Sequence, residues 1–184
     1  MTQRGMALVV VVLTMVLVMA AGAALVLTTS SEALIASNFK AGQQALYAAD
    51  GAAEWALADL PAVAPDWPTL LNTTLKSWFV DGLAAGQRAL ADGSVIDLTS
   101  IVTERAAWKP YAFGPLKDLL PPVPAGFEPS AFYVIVFVAA DPAAVDRLKV
   151  RTEAFGPRGA HKVVEMKVLR DAAGVHPMAW TEVR

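Results

Sequence analysis

Four titratable side chains have a type and spacing that could support chemistry. Asp50 and Glu54 are four residues apart, so on a helix they share one face and could mimic a pair of carboxylates for acid–base work. Exposed carboxylates at this spacing are more often solvated or paired with a neighbouring cation. His161 and His176 lie in unrelated contexts and cysteine is absent, so a zinc site would need carboxylates as its remaining ligands. We predict no metal site, no cofactor and no enzymatic activity.

Other motifs and the charge distribution support this prediction. The sequence has no glycine-rich phosphate loop and no Gly-x-Ser-x-Gly. The net charge of −2 is unevenly distributed, because residues 28–146 hold 6 basic and 13 acidic side chains whereas residues 147–184 hold 8 basic and 4 acidic ones. Such polarity can guide subunit docking or bind an anionic polymer, but a solvated face of mixed charge is the commoner explanation. Nucleic-acid binding is not supported.

An uncharged segment, residues 6–27, precedes all of these side chains. As a helix its 22 residues would span about 33 Å, close to the thickness of a bilayer's hydrocarbon core. Backbone amides in lipid must be paired within the segment, so we predict a transmembrane helix there. Arg4 before the uncharged span predicts a cytoplasmic N-terminus and a head outside the inner membrane.

The helical pattern continues beyond the uncharged segment. Residues 28–60 are more polar, but apolar side chains recur mostly every three or four residues, which predicts an amphipathic extension of the same helix. This stripe consists of Ile35, Phe39, Leu46, Ala49, Ala53, Leu57 and Leu60. We expect Pro61 to end the helix at Leu60, and residues 61–184 to form one globular head.

Three segments of the head have the composition of strands. Residues 131–139 are rich in β-branched and aromatic side chains, which predicts a central buried strand. Arg147–Phe155 alternates, so one face should be wet and the other dry, and residues 161–170 alternate again after a turn. An antiparallel sheet laid on the helix stripe gives an α+β fold. Residues 110–129 are rich in proline and predict an extended surface loop, fixed to the core by Tyr111, Phe113 and Phe127.

Two short motifs resemble one family. Arg4-Gly5 followed at once by a long apolar helix resembles the prepilin leader, here residues 1–5, of type IV pilins and type II secretion pseudopilins. The sequence SNFKAGQQALYAADGAAEWAL, residues 37–57, resembles the PilX-type minor pilins. The resemblance implies a pilin-like fold and cleavage after Gly5 by a prepilin peptidase, which makes Met6 the mature N-terminus and a candidate for N-methylation. It also implies inner-membrane lipid and other pilin or pseudopilin subunits as partners, and a final location in a filament at the cell surface.

Val10 departs from the pattern of the major pilins. Most of them carry a glutamate at the fifth mature position, where it is thought to pair with the amino terminus of the subunit ahead. K-type pseudopilins and many PilX-type proteins share its absence. An unpaired carboxylate in lipid would cost several kcal/mol, so a subunit with nothing ahead of it gains by lacking one. The resemblance therefore implies a minor subunit at the tip or in assembly initiation.

Two alternatives remain. One is a K-like type II secretion pseudopilin, although such proteins usually carry a larger inserted domain. The other is a binding module with a single membrane anchor that never polymerises. Its contact surface would be residues 110–129 and a basic hairpin that we predict for residues 147–170. Only the filament hypotheses require Gly5.

Overall fold

The structure, a computed structural model, describes residues 3–119 and 130–183, and side chains from residue 6 onward. The chain divides into two compact units, Met1–Lys40 and Ala41–Arg184. The first contains the N-terminal part of one long helix. The second contains the rest of that helix, a five-stranded antiparallel sheet and smaller elements, so the fold class is α+β as predicted.

The long helix, α1, spans Gln3–Val63. The expectation that it ends at Leu60 is wrong by three residues, because Pro61 is accommodated within the last turn. Proline loses its hydrogen bond to the carbonyl one turn earlier, but its fixed φ angle is compatible with a helix. The amide of Ala64 donates to the carbonyl oxygen of Leu60 at 3.2 Å and closes the helix end.

The remaining elements follow in chain order. They are α2 (Trp67–Asn72), β1 (Gln87–Ala89), β2 (Val95–Asp97), α3 (Leu98–Glu104), β3 (Lys109–Pro115), β4 (Tyr133–Ala140), β5 (Arg147–Phe155), β6 (His161–Asp171) and β7 (Gly174–Val183). Among the described residues, strands β1 and β2 pair only with each other. The large sheet has the order β3-β4-β5-β6-β7 with antiparallel neighbours throughout.

The three predicted strands are β4, β5 and β6. Alternating burial along β6 confirms the expectation for residues 161–170. The prediction of a central buried strand is confirmed for β4, which is buried and pairs with β3 on one side and β5 on the other. The expectation of a wet face on β5 fails at Glu153, which is fully buried.

The predicted loop at residues 110–129 is partly wrong. Lys109–Pro115 forms β3, and a short 3₁₀ turn follows at Leu116–Asp118. Tyr111 and Phe113 are fully buried in this strand, so they belong to the core rather than fixing a loop to it. Residues 120–129, including Phe127, lie outside the described residues.

Proline is tolerated in β3 because the strand lies at an edge of the sheet and its pairing is irregular between Pro110 and Ala112. Its outer edge is nevertheless covered. Backbone bonds join Tyr111 to Ser77 and Phe113 to Phe79, both at 3.0 Å. At the opposite edge, β7 makes no such backbone bonds on its outer side within the described ranges.

Helix α1 packs on one face of the sheet, called here the near face. The buried helix residues are mostly alanines, and they form one core with side chains of β4, β5 and β6. On α1 they are Ala45, Ala48, Ala49, Ala52, Ala53, Ala56 and Leu60. Side chains this small allow a helix backbone to approach a sheet closely, and the resulting contact excludes water from the near face.

The predicted apolar stripe is confirmed only in part. Ala49, Ala53 and Leu60 are buried, and Leu46 and Leu57 are half-buried beside them. Ile35 and Phe39, by contrast, are 68% and 69% exposed in the first unit.

A second layer covers part of the opposite, far face of the sheet. Apolar side chains of β1, β2, α3 and their flanking residues pack there against the aromatic and aliphatic side chains of β3 and β4. Leu98, at the start of α3, and Phe137, on β4, are both fully buried in this smaller core. Strands β3 and β4 are thus enclosed between α1 and the α3 layer.

Candidate functional site

The N-terminal part of α1 is the most distinctive surface of the chain. The helix from Met6 onward contains an 18-residue window with a mean hydropathy of 2.8, and no residue of that window is buried. It is therefore a candidate membrane span by length and composition. The large apolar side chains of this segment are all more than half exposed, including Val10 at 57%. In water such an area would be costly, since each exposed aliphatic side chain forgoes about 1.5 to 3 kcal/mol of burial energy.

The few polar side chains in this helix are satisfied locally. The hydroxyl of Thr14 donates to the carbonyl oxygens of Val10 and Val11, at 3.0 and 2.8 Å. Thr28, Thr29 and Ser31 likewise donate to the carbonyls four residues earlier, at 2.9 to 3.0 Å. A hydroxyl bonded to its own helix does not need water, so these residues are compatible with an apolar surrounding.

Gly5 and Met6 both lie within α1, and the Met6 side chain is exposed. The expected cleavage between them, and N-methylation of Met6, stay predictions.

The paired carboxylates, Asp50 and Glu54, do not form a site. Asp50 Oδ1 accepts a hydrogen bond of 2.7 Å from the indole Nε1 of Trp180 on β7, and so connects α1 to the edge of the sheet. Glu54 is exposed and has no side-chain partner within the described part of the chain. Acid–base work by the pair would require both carboxylates to face one reacting group.

The two histidines are also far from any shared site. His176 Nε2 lies 3.5 Å from Asp171 Oδ1, at the β6–β7 turn. His161 Nε2 lies 3.1 Å from Glu153 Oε2 and its ring stacks on Phe155. In residues 3–119 and 130–183 there is no group of three or more potential ligands that could hold a metal ion.

Glu153 is at the centre of a charged cluster that sequence reasoning missed. The carboxylate is fully buried on the far face of β5. Arg151 Nε donates to Oε1 at 2.7 Å, and Arg105 Nε, from the C-terminal end of α3, donates to the same oxygen at 2.9 Å. No spacing could reveal this contact, because Arg105 is separated from Glu153 by 48 positions in the sequence.

The cluster keeps the carboxylate ionised. Burial alone would raise the pKa of Glu153, but hydrogen bonds from His161, Arg105 and Arg151 outweigh it and lower the pKa from 4.5 to about 2. A carboxylate with such a pKa holds no proton to donate at neutral pH, and its full burial keeps it from a substrate. Its effect is structural: it connects α3 to the sheet.

Two buried tyrosines bind other carboxylates. The Tyr111 hydroxyl donates to Asp59 Oδ2 of α1 at 2.6 Å, and the Tyr133 hydroxyl donates to Asp81 Oδ2 at 2.9 Å. Burial and these hydrogen bonds raise the pKa of both phenols well above its usual value. Neither tyrosine can therefore act as a base at neutral pH. Both contacts hold the sheet to the segments beside it.

A cleft is present at one end of the sheet. It has a volume of about 680 Å³ and lies between α2, the residues leading into β3, and the turn from β4 to β5; we call it the β4–β5 cleft. Its apolar walls include Trp67, Pro68, Leu71, Trp108, Val138 and Val145. Its polar members are Asn72, Lys109, Asp141 and Arg147. A volume of this size and a mostly apolar lining are typical of binding clefts.

No protein-family model matches this chain, and neither a curated protein nor a solved structure matches it.

Proposed function

We propose that this chain is a minor pilin-like subunit, of the PilX type, in a type IV pilus or a related filament. One observation carries the proposal: the uncharged, wholly exposed part of α1 begins directly after Arg4 and Gly5, and the same helix continues into an α+β head. An exposed apolar helix of this length needs lipid or the apolar core of an assembly around it. Its partners would be inner-membrane lipid, a prepilin peptidase and other pilin or pseudopilin subunits.

Processing at Gly5 is the direct test of this proposal. A Gly5→Leu protein should remain an unprocessed, membrane-bound precursor, because the proposed cleavage follows Gly5 and Arg4-Gly5 directly precedes the apolar helix. The measurement is the N-terminal sequence and mass of the protein purified from membranes, with Gly22→Leu as a control in the same helix. Glycine at position 22 has open space around it, so this change should leave processing intact. Normal maturation and filament assembly of the Gly5→Leu protein would contradict the proposal.

Topology gives a second test. With Arg4 on the cytoplasmic side and no charge in the span, the head should lie in the periplasm. A reporter that is active only in the periplasm, fused after Arg184, should therefore be active. Activity of a cytoplasmic reporter at the same position would reverse the assignment.

Val10 supports a place at the tip or in initiation. In an apolar filament core, each N-terminal ammonium is best neutralised by a carboxylate from the subunit below it. Val10 cannot supply that charge, so the N-terminal ammonium of a subunit above this one would lack its carboxylate. The first position in the filament, with no subunit above it, is therefore the least costly for this chain. Purified filaments should contain far fewer copies of this chain than of the major subunit. Equal abundance, or labelled protein spread evenly along the shaft, would contradict this placement.

The second candidate function, an anchored binding module that does not polymerise, is favoured by the β4–β5 cleft. It predicts a protein that keeps residues 1–5 and never enters a filament. The Gly5→Leu experiment distinguishes the two functions, because an anchored module needs no cleavage after Gly5 and its function would not change.

A further inference from the structure

Three cationic side chains at one end of the sheet have no hydrogen-bonding partner among the described residues. Arg147, Lys149 and Lys167 all lie on the far face, since their neighbours Leu148, Val150 and Val168 are buried against α1 on the near face. Lys149 and Lys167 are directly opposite each other across β5 and β6. We call these three residues the basic row.

The basic row differs from most of the cations near the sheet, although Arg170 on β6 also makes no side-chain hydrogen bond to a described residue and lies over the Trp67 ring. Arg105 and Arg151 bind Glu153, and Lys162 binds Glu182. Within residues 3–119 and 130–183 no side chain accepts a hydrogen bond from the basic row, and Arg147 Nε is buried without a partner there. Lys149 and Lys167 face each other across β5 and β6, and like charges in that position destabilise a sheet.

Asp141 provides only partial compensation. Its Oδ2 atom lies 4.0 Å from Lys167 Nζ and has no hydrogen-bond partner in the described part of the chain, although the side chain is 3% exposed. Its Oδ1 atom accepts from the amide of Ala143 at 3.0 Å, which fixes the carboxylate in the β4–β5 turn. Asp141 lies beside only one of the three cations among the described residues, so it does not neutralise the basic row.

The basic row adjoins the β4–β5 cleft, because Arg147 and Asp141 line that cleft. The cleft therefore contains one member of the basic row, and Lys149 lies opposite Ala139, which also lines the cleft. The turn between them exposes Val145 at 78%, which extends the apolar surface outward. A ligand that occupied both parts would place apolar groups in the cleft and carboxylates on the basic row.

We propose that the basic row and the β4–β5 cleft form a docking site for an acidic, apolar segment of a partner protein. Charge complementarity to the three cations favours an anionic occupant, and the apolar walls favour protein side chains over phosphates or sugars. This site does not depend on cleavage at Gly5 or on entry into a filament.

The test uses the full chain in uncharged phosphatidylcholine nanodiscs and an acetylated hexapeptide amide, Leu-Glu-Ala-Glu-Leu-Ala, as the probe. Tryptophan fluorescence reports binding, because Trp67 and Trp108 line the cleft. Lys149→Gln with Lys167→Gln should weaken the Kd about tenfold, as expected for two partly exposed ionic contacts. The Gln counterpart of the peptide should bind the unchanged protein with a similarly weakened Kd.

The matched control removes the same charge elsewhere. Lys117 follows the C-terminal end of β3, and Arg158 follows the C-terminal end of β5. Both residues therefore lie at the end of the sheet away from the β4–β5 cleft. Their double change to Gln should shift the Kd less than about twofold. No binding of the acidic peptide, equal loss in both double variants, or tighter binding of a single-stranded oligonucleotide would each overturn the proposal. Equal unfolding midpoints of all variants exclude misfolding as the cause.

Discussion

Replacement of Glu153 by Gln should destabilise the head strongly. The substitution keeps the size of the side chain but removes the charge that Arg105 and Arg151 share. Breaking a buried ion pair by removing one partner costs about 3 to 5 kcal/mol, and both arginines retain some solvent contact, so we expect the lower end of that range. At neutral pH the free energy of unfolding should fall by about 3 kcal/mol.

The pKa of Glu153 gives an independent magnitude. Its lowering from 4.5 to about 2 corresponds to about 3 kcal/mol at about 1.4 kcal/mol per unit. Because the folded pKa is depressed, this stabilisation is complete above pH 4.5 and is lost as the pH falls towards 2. The stability difference between the unchanged protein and the Glu153→Gln variant should therefore be largest at neutral pH and nearly vanish at pH 2.

Urea unfolding followed by tryptophan fluorescence measures this difference, since all five tryptophans lie between residues 55 and 180. Glu104→Gln is the matched control: it removes another carboxylate of Arg105, but that side chain is 66% exposed, so the cost should be below about 1 kcal/mol. Equal costs for the two substitutions, or a difference that persists unchanged at low pH, would refute the reasoning.

Three further substitutions test the packing of the head by the same unfolding assay. Ala52→Leu should lower the free energy of unfolding by about 1 to 3 kcal/mol, because Ala52 is fully buried between α1 and the sheet. The control, Ala58→Leu on the exposed side of the helix, should change it by less than about 0.5 kcal/mol. Gly156→Ala should destabilise to a similar extent as Ala52→Leu, since its new Cβ would lie 2.1 Å from a ring carbon of Phe132, and shortening Phe132 to Leu should recover part of the loss. Trp180→Phe should lower stability by about 0.5 to 1 kcal/mol through loss of its hydrogen bond to α1, and an unchanged midpoint would show that this contact does not hold β7.

The sequence predicted the elements whose side chains follow a clear period. Strand β6 alternates through Val164, Met166 and Val168, and α1 shows both its uncharged run and a three-to-four-residue repeat. In these cases burial on one face imposes the period directly. The buried face of the helix was predicted only in part. Alanine is only weakly hydrophobic, so the larger Leu46 and Leu57 indicated the face more strongly than the fully buried Ala52 and Ala56.

The two edge strands could not be predicted, for a different reason. Strand β3 includes Pro110 and Pro115, which normally indicate a loop, and β7 is so exposed that its residues show no apolar alternation. Both strands form because a neighbouring strand supplies their hydrogen bonds. The sequence of the segment itself does not contain that information. The Glu153 cluster could not be predicted for the same reason, since α3 comes close to β5 only in the folded protein.

The unequal edges of the sheet bear on aggregation. Strand β7 pairs irregularly with β6, so that Val168 faces Pro177 and Lys167 faces Ala179, leaving Met178 without a partner in the β6–β7 register. Proline offers no amide proton, and a bulge bends the strand, so an incoming strand cannot add along β7 without interruption. The β3 edge is already covered by residues around Phe79. We therefore expect the head to resist edge-to-edge polymerisation into amyloid-like ribbons, because a segment covers one edge of the sheet and the strand at the other edge is interrupted.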